Sequence, residues 1–105
     1  MYQQMMKELQ EDLIETTTVV FDDGTEWILD FYLQFVDDTA NLYGVKINRR
    51  TMDGVLIESD ETFAATENRD DAIAMIKAFA KGKVLPMSLL YMVDDWEPTN
   101  LWLPT

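Results

Sequence analysis

Carboxylates dominate the groups in this chain that could do chemistry. Adjacent acid pairs recur at Asp22-Asp23, Asp37-Asp38, Asp70-Asp71 and Asp94-Asp95. Paired carboxylates can hold a hard cation such as calcium, or serve as acid and base at a glycosidic bond. The spacing specifies neither. No pair lies in the Asp-x-Asp-x-Asp-Gly loop with a distant Glu that a calcium hand requires. Work on a sugar needs two carboxyls at a fixed separation in a cleft, which neighbours along a chain do not provide. The pairs fall where turns and helix caps favour acids. Lys46, Arg49 and Arg50 are the only clustered bases, and they read as a strand end balancing nearby acids, not as an anion site.

The chain has no cysteine and no histidine. That removes thiolate nucleophiles, disulfides, the usual general base at neutral pH and the commonest neutral metal ligand. No Gly-rich phosphate loop, Gly-x-Ser-x-Gly elbow or Ser-x-x-Lys motif is present. The four glycines fall in turn, strand or cap positions. No catalytic, metal-ligating or cofactor-binding residue is assigned, and no cofactor is expected.

Twenty acids face eight bases, a net charge of −12 over 105 residues. Such a surface repels nucleic-acid phosphate and anionic membranes, and it attracts a basic protein. Acidity of this kind also simply keeps a small bacterial-type domain soluble. An apolar content of 48% argues against disorder, and the length suits one domain. No run of eighteen apolar residues is present, and the N-terminus lacks the basic start and apolar core of a secretory signal. Cytoplasmic residence is the expectation.

The clearest structural grammar lies between Thr66 and Trp96. Asn68 is an N-cap, with Asp70 and Asp71 at the positive end of the helix dipole. Ala72, Ile73, Ile76, Phe79 and Ala80 then form one apolar stripe. Lys77 and Lys81 suit the helix end, and Gly82 is the expected left-handed stop. After the corner Lys81–Pro86, a second short helix carries Leu89, Leu90, Val93 and Trp96 inward until Pro98.

Upstream, a sheet is expected over residues 14–65. Thr16–Val20 is a β-branched run, and Asp22-Asp23-Gly24-Thr25 and Met52-Asp53-Gly54 are hairpin turns. In the strand Glu26–Val36, Trp27, Leu29, Phe31, Leu33 and Phe35 share the core face; Ile28, Asp30, Tyr32, Gln34 and Val36 share a mixed one. A third strand, Leu42–Arg49, turns Tyr43, Val45 and Ile47 inward, with Gly44 marking a bulge or close approach. A fourth, Val55–Ala65, is expected to break at Ser59-Asp60-Glu61. Residues 1–13 read as an amphipathic helix with Tyr2, Met5, Met6, Leu9 and Leu13 on one side. The predicted fold is therefore α+β: a four-stranded antiparallel meander covered by two C-terminal helices, with a short N-terminal helix. The domain spans residues 1–105, with the helical pair at 66–97 and an apolar tail at 98–105.

The run Asn68-Arg-Asp-Asp, the helix after it and Val84-Leu-Pro-Met-Ser-Leu-Leu-Tyr-Met-Val-Asp-Asp-Trp96 resemble the C-terminal half of a family of small bacterial domains of unknown function. Those domains carry a Val-Ser-Pro-x-His-Leu corner and an upstream Tyr-Gly-Ile strand motif, which Tyr43-Gly44-Val45 resembles. The chain departs at Leu85 and Ser88, where the family has Ser and His, so a role for that His does not transfer. The resemblance implies an α+β fold and no activity.

These features point to a non-enzymatic protein-interaction or regulatory module whose partner is itself, as a homodimer, or a basic protein. The candidate interaction surface is Ile28, Tyr32 and Val36 on the mixed face, with Leu101, Trp102 and Leu103 in the tail. That tail is expected to lie in a groove of its own domain or to be offered to a partner. Two alternatives differ in class: an acidic decoy that mimics nucleic acid and occupies a DNA-binding protein, and a carboxylate- and metal-dependent enzyme.

Overall fold

The computed structural model describes residues 9–36 and 42–94. Four antiparallel strands form one sheet in sequence order: β1 (Leu9–Val20), β2 (Glu26–Val36), β3 (Tyr43–Arg50) and β4 (Leu56–Thr66). Helix α1 (Arg69–Lys81) follows, then a 3-10 turn (Pro86–Ser88) that runs into α2 (Leu89–Asp94). The fold is α+β, a meander with its helices on one face.

The two hairpins share one construction. Phe21 N–H donates to the Thr25 carbonyl and Gly24 N–H to that of Phe21; Thr51, Val55 and Gly54 repeat the pattern. Gly24 and Gly54 have φ of 87° and 99°, a region a side chain rarely enters. Asp-Gly at both turns therefore fixes both registers.

The core lies between the sheet and α1. Leu29, Phe31 and Leu33 of β2, Val45 and Ile47 of β3, and Ala72, Met75, Ile76, Phe79 and Ala80 of α1 are buried together with Val84 and Leu89. Burying each large side chain contributes about 1.5–3 kcal/mol. Trp27, Phe35 and Tyr43 complete the stripe as half-buried flanks. At Gly44 the β3–β4 register shifts, the irregularity that a strand glycine signals.

The chain is strand, not helix, from Leu9 onward; residues 1–8 lie outside the described residues. Leu9 to Leu13 pair in register with Val36 to Tyr32, and a bulge at Ile14 shifts the alternation before Glu15 meets Phe31. Leu9 and Leu13 both precede the bulge, and a four-residue spacing falls on one side of a strand as well as of a helix, which is why they mimic a helical stripe. Pairing with a central strand overrides local pattern here. Nor is β4 interrupted: Ser59, Asp60 and Glu61 pair with Asn48, Ile47 and Lys46 in one continuous strand. Ser59 Oγ donates to Asn48 Oδ1 at 2.6 Å, so polar residues there are held by cross-strand partners.

Asn68 caps α1 as expected, its Oδ1 accepting from Asp71 N–H at 3.1 Å. The far end differs from expectation. Gly82 stays in the right-handed region, and Lys83, with φ of 56°, is the left-handed residue. Lys83 N–H reaches the Ala80 carbonyl and Val84 N–H that of Phe79, a Schellman ending displaced by one residue. A non-glycine residue in that conformation costs about 1–2 kcal/mol, partly offset because glycine is freer when unfolded. Lys83 is exposed, so Lys83→Gly should raise stability by about 0.5–1 kcal/mol in urea denaturation. Unchanged or lower stability would show that the lysine side chain compensates its backbone.

The second inward stripe holds Pro86, Leu89 and Val93, while Leu90 faces solvent. Trp96 and Pro98 lie outside the described residues.

Candidate interaction surface

With both helices on one side, the other face of the sheet is not covered by any described element. The least dimension of the molecule is 18 Å, room for one layer of helix on one layer of sheet. Pairing registers place Thr16, Asp30, Asn48 and Ser59 in one row across the four strands, and Leu13, Tyr32, Lys46 and Glu61 in the next.

An uncovered face ought to be exposed, yet its central residues are not. Asp30 is 4% exposed and Gln34 1%. Their neighbours bury them by bonding to them. Thr16 Oγ1 donates to Asp30 Oδ1 at 3.0 Å, and Arg50 Nε donates to Oδ2 at 2.6 Å. Gln34 Nε2 donates to Glu11 Oε2 at 3.0 Å and to Glu61 Oε1 at 2.6 Å, so one amide joins carboxylates from both edge strands. Lys46 Nζ lies 3.2 Å from Glu11 Oε2 and 5.6 Å from the centre of the Tyr32 ring. The result is a flat, cross-braced polar floor. Its charged members are Glu11, Asp30, Glu61, Lys46 and Arg50, close to balance in a strongly acidic chain.

The charges in this layer act on one another. Burial raises the Glu11 carboxyl, but hydrogen bonds from Gln34 and Lys46 and the Lys46 charge outweigh it and hold the group below its ordinary value. The hydrogen bond to Asp30 outweighs burial at Arg50 and, with the Asp30 charge, raises the guanidinium.

The three clustered bases of the sequence are not brought together. Lys46 and Arg50 stand on the open face, whereas Arg49 points to the helix side. There its guanidinium lies 4.7 Å from the centre of the Trp27 ring and 5.5 Å from that of Phe21, with Nε 3.3 Å from Glu58 Oε1. Each base has an acid partner.

Of the residues expected to form the surface, Ile28 is part of the buried floor and Tyr32 is half-buried at its middle. Val36 ends β2 opposite Leu9. Leu101, Trp102 and Leu103 lie outside the described residues. The sequence reading missed Glu11, Asp30, Gln34 and Glu61 as the bracing. Alternation along β2 put Asp30 and Gln34 on this face, but their partners follow only from register.

Two of the four acid pairs are described in full, one in a hairpin turn and one at a helix start. Asp22 and Asp23 form a turn in which Thr25 N–H donates to Asp23 at 2.9 Å; this backbone bond holds the Asp23 carboxyl below its ordinary value. Asp70 and Asp71 stand in the first turn of α1. Asp37, Asp38 and Asp95 lie outside the described residues. Among the described residues no three His, Cys, Asp or Glu side chains come together to hold a metal ion. The depression of about 470 Å³ beside Val20, Phe21, Asp22 and Asp23 is open to solvent. No described helix is long and apolar enough to cross a membrane.

A family model described as "Family of unknown function (DUF6514)" matches residues 10–97. No curated protein and no solved structure matches the chain.

Proposed function

Because the chain belongs to this family of unknown function, we propose its role from its own geometry: a non-enzymatic protein-interaction module that receives a basic partner on the open sheet face. The observation that carries this reading is the braced floor. A rigid surface most of whose polar groups are already paired loses little when a partner covers it, because little remains to be desolvated or ordered. Exposed Leu13 and Leu56 and half-buried Tyr32 supply apolar contact around it. The charge of −12 steers a basic protein toward the domain. The role proposed is cytoplasmic and regulatory, with binding as its only act.

The test is capture from lysate by the full chain at low and moderate salt. A double variant, Leu13→Arg with Tyr32→Ala, is carried alongside and checked for an intact circular dichroism spectrum. The expected result is one enriched basic protein, weakened at least about tenfold as salt rises and lost with the double variant. Capture unaffected by the double variant would sink the open face as the docking site. If the captured protein binds DNA, and DNA competes with the domain for it, the decoy reading gains. A specific divalent ion that raises the melting temperature would favour the carboxylate–metal reading instead.

A further inference from the structure

The charged layer of the open face does not close on itself. Arg50 pairs with Asp30 and Lys46 with Glu11, while Arg49 pairs with Glu58 on the helix side. Glu61 is the acid left over. Lys46 is its register partner, yet the ammonium turns to Glu11. The remaining described bases, Arg69, Lys77, Lys81 and Lys83, belong to α1 and the turn after it, on the other side of the sheet. Among the described residues, the exposed Glu61 carboxylate is held by the neutral Gln34 amide alone, at 2.6 Å.

Gln34 supplies a second, independent sign of a missing donor. It is 1% exposed, and its Oε1 is buried with no hydrogen-bond partner. Register builds this arrangement. Gln34 faces Gly44 on β3, and with no side chain there the amide passes over β3 to Glu61 on β4. On its other side it bonds Glu11 of β1, so the two carboxylates lie within roughly 6 Å of each other. Every group left unsatisfied at this point accepts hydrogen bonds.

We infer that this point is the seat of an arginine side chain of the partner, an inference that rests on the open face being where that partner docks. A guanidinium has five N–H donors in a planar fork and no acceptor, so it can bond Glu61 and Glu11 together. A lysine ammonium is a compact point charge without that fork. The added cation relieves the repulsion between the two carboxylates, which exclusion of water on docking would otherwise strengthen. Glu61 is exposed, so it can swing toward the cation and release the amide to turn Oε1 outward as a further acceptor.

Nuclear magnetic resonance of the isotope-labelled full chain tests this, with two end-blocked tripeptides, Gly-Arg-Gly and Gly-Lys-Gly, as probes. The expected result is a saturable shift of the Gln34 side-chain amide signal with the arginine probe. The lysine probe should bind at least about threefold more weakly. Glu61→Gln should weaken arginine binding at least about fivefold, with the urea midpoint little changed because Gln34 keeps a neutral acceptor and the repulsion is gone. Glu26→Gln removes the same charge from an exposed site at the far end of β2, about 26 Å from Gln34, and should weaken binding less than about twofold. Equal weakening by the two substitutions would mean attraction to net charge alone, and equal binding of the two probes would mean that a point charge suffices; either overturns the proposal. So does an unmoved Gln34 signal. Where any of these is found while capture from lysate still depends on Leu13 and Tyr32, the open face stands as the docking site and only the arginine seat is withdrawn.

Discussion

Phe31→Ala should cost about 3–5 kcal/mol, enough to leave the domain largely unfolded at moderate urea. Phe31 is fully buried at the centre of β2, paired with Ile47 on one side and Glu15 on the other. Its backbone is therefore held by two neighbouring strands and cannot move in to fill the space. The helix side offers no better repair, since Ile76 and Phe79 are themselves buried in the same cluster. A cavity in so thin a fold removes contacts from both layers at once. Phe31→Leu keeps most of the volume and should cost far less, about 1–1.5 kcal/mol. Leu13→Ala, on the opposite face and exposed, should stay within about 0.5 kcal/mol. Equal sensitivity of Phe31 and Leu13 in urea denaturation would contradict the assignment of the two faces.

That contrast was legible along β2 because the strand states it outright. Trp27, Leu29, Phe31, Leu33 and Phe35 alternate with Ile28, Asp30, Tyr32 and Gln34, and only one of the two sets is uniformly apolar. The Asp-Gly turns and the capped stripe of α1 were legible for the same reason: each is a signal contained within a few residues. Where the decisive partner is distant, the reading failed. Leu9–Leu13 became a strand through pairing with residues 32–36, and a four-residue apolar spacing, which suits either a helix or a strand, disguised it. Ser59-Asp60-Glu61 read as a break because their partners on β3 lie more than ten residues back. The left-handed turn fell on Lys83, one residue beyond the glycine that marked it. The braced floor lay furthest out of reach. A buried Gln34 is indistinguishable in sequence from an exposed one until Glu11 and Glu61 are known to flank it.

Gln34→Leu tests that floor, and its effect should depend on pH. In the native protein one amide nitrogen serves two carboxylates, which therefore lie within roughly 6 Å of each other, close enough to repel. Leucine removes both charge-assisted bonds and leaves the acids facing one another with only Lys46 near Glu11. Part of this loss is offset, because Gln34 Oε1 is buried without a partner and leucine takes that unpaired carbonyl away. The net expectation near neutral pH is a loss of about 1–3 kcal/mol. The sign with pH follows from the carboxyl groups. In the native protein the Glu11 group is held below the ordinary value of a glutamate carboxyl. Its contribution is thus present above that ordinary value and is lost as the pH falls through the lowered value. In the variant, repulsion raises one carboxyl above its unfolded value, so the penalty is greatest at neutral pH and shrinks as the acids protonate. The gap between native and variant should therefore narrow toward pH 4, and a second change, Glu61→Gln, should close much of it at pH 7. Urea denaturation of the three proteins at both pH values checks this. A gap that does not change with pH would mean that Gln34 acts by filling space, not by holding two acids together.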